Sequence, residues 1–256
     1  MAKKVIRAAA ALALATVTTT PAYAVDYTIS LLSPTSGNSS AYLYTMGSGV
    51  NLLNLKVTAW SINSSGVVGA ASIGAYSGGL GVTYPGESTG TPQHSIDNSG
   101  KIDFLLFQFD KQVDLNAFYV GWYSGDADAT IGWGPGTNTW NATPTWNGTT
   151  DPTFNSFSKV NSLVSTPAES TGWRYPATGD AKADSWIISA LTPANGTADY
   201  FKLEKLKVTY APGGGNVPPV PEPATWLMMI AGFGGIGWSM RRRRSAAELD
   251  KGVAHA

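Results

Sequence analysis

Residues 102–110 read IDFLLFQFD. From Ile102 to Phe109 the run is almost continuously apolar, the pattern of a strand covered on both faces. Upstream, residues 51–60 alternate, with Leu53, Leu55, Val57 and Ala59 on one parity and Leu52, Lys56 and Thr58 on the other. That period of two predicts another strand. Downstream, residues 118–123 (FYVGWY), 185–191 (SWIISAL) and 200–210 (YFKLEKLKVTY) are further strand candidates. In the last, Phe201 and Leu203 share one parity, while Leu206, Val208 and Tyr210 take the other. A β-bulge near Glu204 and Lys205 reconciles the two phases; a short helix is the rival reading.

Turn signals separate these runs: Asn98-Ser99-Gly100, Gly134-Pro135-Gly136, Asn147-Gly148 and Asn195-Gly196. No helix of clear amphipathic period and no internal repeat stands out. Short strands with frequent turns predict an all-β fold, a β-sandwich of jelly-roll type. The composition agrees. Charged residues make up 13% of the 256 and aromatic residues 11%, unlike a disordered chain with few aromatics and high net charge.

The formal net charge is zero, but residues 25–220 hold nine basic and fourteen acidic residues, a balance of −5. A mildly acidic body gives no electrostatic footprint for nucleic acid. The absence of cysteine excludes disulfides, thiolate metal sites and a cysteine nucleophile.

The missing positive charge sits at the chain ends. Residues 1–24 have the order of a secretory signal peptide. Lys3, Lys4 and Arg7 precede an apolar run over residues 8–17, Pro21 follows, and Ala22-Tyr23-Ala24 gives the small-x-small pattern that signal peptidase cuts. The mature body is expected to span residues 25–210. A Gly/Pro linker follows over residues 211–220, then Pro221-Glu222-Pro223, an apolar stretch over residues 224–240, and Arg241, Arg242, Arg243 and Arg244. Trp226 and Trp238 suit the two interfaces of a bilayer, and the arginines suit its cytoplasmic side. Gly232, Gly234, Gly235 and Gly237 permit close helix approach. Residues 221–244 are therefore expected to form a single transmembrane segment, with residues 245–256 as a cytoplasmic tail.

Val220-Pro221-Glu222-Pro223, then Trp226, Met228, Met229, Ile230, Gly232, Phe233, Gly234 and Gly237, then the arginines, resemble the PEP-CTERM sorting domain of Gram-negative bacteria. The resemblance implies that a membrane-embedded exosortase recognises Pro221, Glu222 and Pro223 and cuts nearby. The protein would then be exported, pass transiently through the inner membrane, and reach the cell surface or extracellular matrix. Residues 81–88 (GVTYPGES), 92–100 (PQHSIDNSG), the IDFLLFQFD strand and 121–128 (GWYSGDAD) also look like ectodomains of exosortase-dependent surface proteins. That likeness implies a surface protein and no particular activity.

Chemistry has few candidates in the body. Glu87 and Asp97 lie just before the core strand, and Asp126 and Asp128 just after another. If those loops meet, their oxygens suit calcium, which takes six to eight oxygen ligands in flexible geometry. Asp97, Asn98 and Asp126 equally suit turn capping. His94 with Asp97 is a conceivable base for a serine, though nothing resembles a nucleophile elbow. Trp140 and Trp146 lie in a polar stretch and are candidates for an exposed sugar platform; Trp122, in an apolar strand, reads as core. Three functions follow for comparison: a surface or matrix protein without catalytic activity, a carbohydrate-binding module stabilised by calcium, and a secreted hydrolase. Extracellular polysaccharide is a partner for the first two.

Overall fold

A computed structural model describes residues 23–88, 90–134, 140–142, 144–149, 157–162, 170–191 and 196–212, with Phe233. Tyr23–Gly215 form one compact unit. The expected signal peptide, the Pro-Glu-Pro motif, the membrane anchor and the tail lie outside the described residues, apart from Tyr23, Ala24 and Phe233. Among the described residues, no helix is long and apolar enough to cross a membrane.

Among the described residues the body is nearly all β, as the alternation and turns of the sequence lead one to expect, with one 3-10 turn at Gly49–Asn51. In chain order the strands are β1 (Val25–Ser30), β2 (Ser36–Asn38), β3 (Ala41–Met46), β4 (Leu53–Ile62), β5 (Val68–Tyr76), β6 (Gly79–Thr83) and β7 (Ile96–Asp97). They continue with β8 (Ile102–Tyr123), β9 (Ala129–Gly134), β10 (Ser158–Ser162), β11 (Gly172–Arg174), β12 (Lys182–Ala190) and β13 (Tyr200–Tyr210).

The apolar runs at residues 102–109 and 118–123 are the two ends of one strand, β8, 22 residues long. Its first half lies between β4 and β12, with Phe107 opposite both Val57 and Trp186. Its second half pairs with β13 and, through Phe118–Val120, with β11. β5 carries the sheet from β4 to β6, and β6 meets β13 at Leu80 and Leu203. A closed ring results: β8, β4, β5, β6, β13 and back to β8. The single sheet thus closes on itself through this ring, while β2 and β10 stay at the open ends of its path. β1 lies along β13 with Val25 opposite Tyr210.

The ring encloses one core. Leu55 and Val57 of β4, Leu105, Phe107 and Phe109 of β8, and Trp186 of β12 pack with Phe118, Val120, Leu203, Leu206 and Val208. Each such side chain, once buried, contributes roughly 1.5–3 kcal/mol. Phe104 and Leu106, on the opposite parity of β8, join Trp60, Ile62, Val68 and Ile187 in a second cluster covered by Trp146 and Phe157. This cover explains why residues 102–109 carry no polar face.

The phase change in β13 is a bulge. Leu203 faces Val120 and Lys205 faces Tyr119, so Glu204 is the extra residue on its strand. The register also skips Gly121 on β8. A Cβ there would lie 2.3 Å from the Gly78 carbonyl oxygen, which leaves room for glycine alone.

Candidate functional site

Glu87 stands on the loop after β6, Asp97 ends β7, and Asp103 is the second residue of β8. One carboxylate oxygen from each lies within 4.8 Å of the others. Asp126, Asp128 and Asp199 form a second trio by the same measure. The two loops therefore do approach each other, but the carboxylates divide into two groups. Asn98 links them: its Nδ2 donates to Asp199, and its Oδ1 accepts the Asp199 N–H at 2.9 Å.

The trios differ in how their oxygens are used. Asp199 accepts the Asp128 N–H at 2.9 Å and the Leu191 N–H at 3.3 Å, besides the Asn98 amide. Asp126 accepts the N–H of Ala127. In the first trio, Asp97 Oδ1 accepts the Ser99 N–H at 2.9 Å, a turn-capping bond, and Glu87 accepts the Tyr84 N–H at 3.0 Å. Asp97 Oδ2 and both oxygens of Asp103 are buried with no hydrogen-bond partner.

Charge is expensive at both places. Burial raises Asp103 well above the usual carboxylate range, and the neighbouring charges of Asp97 and Glu87 add to it. Burial pushes Asp97 up to about 7, partly offset by the Ser99 N–H. Burial also raises Glu87, against the Tyr84 N–H and the Lys101 charge. Asp199 is pushed up to about 7 by burial and then by Asp126. Lys101 is the nearby cation, but its ammonium rests over the Tyr84 ring, 4.2 Å from the centroid.

His94 is not paired with Asp97 or with a serine. Its Nε2 lies 2.9 Å from the buried Lys202 ammonium, which also sits 4.4 Å over Trp122. If Lys202 donates as an ammonium, Nε2 accepts and the proton is on Nδ1.

The tryptophans correct one expectation. Trp146 is 7% exposed and stacks on Trp60 at 5.4 Å between centroids, so it is core and not a sugar platform. Its polar neighbours mislead because they pin the segment to β5: Val68 donates its N–H to the Thr149 carbonyl, Gly148 donates its N–H to the Val68 carbonyl, and Asn147 accepts the Ala70 N–H. Trp140 is half-buried, and so is Trp122. A different aromatic group lies on the outer face of β8 and β11. Tyr119 meets Trp173 edge-on at 5.2 Å, Lys205 and Lys207 lie over these two rings, and Tyr175 beside them is 67% exposed.

Sequence reading found Glu87, Asp97, Asp126 and Asp128 but missed Asp103 and Asp199. Asp199 is distant in sequence from the loop it joins. Asp103 did leave a signal: it is a charge inside an apolar strand, on the parity of Leu105, Phe107 and Phe109.

Residues 219–244 match the PEP-CTERM protein-sorting motif. This motif implies export, a membrane-anchored sorting signal and an exosortase as processing partner. The match covers the tail alone, and the likeness of the body to exosortase-dependent ectodomains has no family match behind it. No curated protein and no solved structure matches the chain.

Proposed function

We propose that this chain is a surface or extracellular-matrix protein without catalytic activity, released or anchored by exosortase processing at Pro221-Glu222-Pro223. The observation that carries the reading is the sorting motif at residues 219–244, following a β body whose one body histidine is bound to a buried lysine. Signal peptidase removes residues 1–24, the tail holds the precursor in the inner membrane, and the body faces outward before and after cleavage. Intact mass of the protein from its native host tests this. A mature chain that starts at Val25 and ends near the Pro-Glu-Pro region is expected. Alanine at Pro221, Glu222 and Pro223 together is expected to leave the tail in the membrane fraction. A wild-type chain that keeps its arginines would make the protein a plain anchored ectodomain.

The second reading is a carbohydrate-binding module, and the observation favouring it is the aromatic face of Tyr119, Trp173 and Tyr175 with Lys205 and Lys207. Aromatic rings suit sugar faces, and lysines beside them suit acidic polysaccharide. Pull-down on acidic polysaccharide, lost in Trp173→Ala and kept in Trp146→Phe, supports it; equal retention of both variants counts against it.

A further inference from the structure

Leu105, Phe107 and Phe109 point into the core from one face of β8, and Asp103 continues that row. It is 0% exposed, and neither carboxylate oxygen has a hydrogen-bond partner. Across the strand pair, Ser61 stands opposite Asp103, but its hydroxyl is also unpartnered. An isolated buried carboxylate is costly unless it is protonated, paired or bound to a cation. Asp97 adds a second buried oxygen without a partner, and Glu87 brings a third carboxylate within reach. We propose that Glu87, Asp97 and Asp103 bind one calcium ion, which clips the loop after β6 and β7 to the start of β8.

The ligand chemistry selects the metal. All three donors are carboxylates, and hard cations take oxygen where zinc prefers nitrogen and sulfur. Two oxygens on opposite sides of a calcium ion lie about 4.8 Å apart, twice a Ca–O distance of ~2.4 Å. The three donor oxygens lie within 4.8 Å of one another, close enough for one ion to reach all of them. Magnesium demands shorter bonds and near-ideal octahedral geometry. Asp97 can serve while its other oxygen still caps the turn at Ser99. The second trio is a poorer site, because both oxygens of Asp199 already accept hydrogen bonds.

The test uses the full chain, purified in mild detergent and stripped with chelator. Equilibrium dialysis against Ca²⁺ is expected to show one ion per chain, with a dissociation constant on the order of 10⁻⁵–10⁻³ M, and a melting temperature raised by the ion. Asp103→Asn keeps the side-chain shape and removes no hydrogen bond; it is expected to abolish binding and the thermal shift. Glu87→Gln, on a half-buried loop position, is expected to weaken binding ~10-fold by removing one ligand charge, and it decides the matter if Asp103→Asn fails to fold. Asp126→Asn is expected to bind as wild type does. The proposal is overturned by no saturable Ca²⁺ binding below several millimolar, by unchanged binding in Asp103→Asn or, if that variant fails to fold, in Glu87→Gln, by loss in Asp126→Asn with retention in Asp103→Asn, or by equal affinity for Mg²⁺.

Discussion

Asp199 accepts hydrogen bonds from Asn98, Asp128 and Leu191, yet burial and the facing charges of Asp126 and Asp128 push it up to about 7. An aspartate in an unfolded chain titrates near ~4. Between those values the folded protein keeps a proton that the unfolded chain has lost. The unfolded state then binds fewer protons, so stability falls as pH rises from ~4 to ~7 and levels off above. Asp97, also pushed up to about 7, acts in the same direction. In chelator, the melting temperature is expected to drop between pH 5 and pH 8, with a smaller drop in Asp199→Asn. Thermal melts across that range check it, and a melting temperature that climbs with pH would refute the assignment. Asp103 shows what the sequence carries at this scale. A carboxylate inside IDFLLFQF is visible to the eye, but its partners, Glu87 and Asp97, are not. Their meeting depends on β7 pairing with β13, a long-range contact of two residues per strand that no local period announces.

Among elements, β4, β12, β13 and the two ends of β8 were legible because each carries an apolar or alternating run, whereas the polar middle of β8, residues 110–117, was not read as strand. The bulge in β13 was legible too, since Phe201 and Leu203 on one parity and Leu206 and Val208 on the other require one extra residue. The short strands β2, β7 and β11 were not, for two or three residues hold no period, and β1, β3, β5, β6, β9 and β10 were also missed, since their small and polar residues blur the alternation. The cover over the outer face was also hidden. Trp146 sits in a polar stretch, yet Gly148 and Thr149 extend the edge of β5 and bring the indole onto Trp60. Trp146→Ala is expected to cost about 3–5 kcal/mol, read from denaturant unfolding. A cost under 1 kcal/mol would mean that the outer cluster contributes little to the fold.

For the body as a whole, β8 pairs with β4, β12, β13 and β11, and β5 and β6 close the ring on the other side. No part of the ring can come apart without opening the common core. The body is expected to unfold in one transition, with calorimetric and van't Hoff enthalpies equal; two resolved transitions would show that parts of the sheet unfold independently. The first and last strands add a mechanical property. Val25 pairs with Tyr210 at one end of β13, and Ser30 with Lys205 further along, so the chain enters and leaves the body side by side. A pull applied between those two ends would open the β1–β13 ladder like a zipper, one bond at a time from Val25 onward, instead of loading all its bonds in shear. Flow or traction acting through both ends would peel β1 first, and this strand is the body's mechanical fuse.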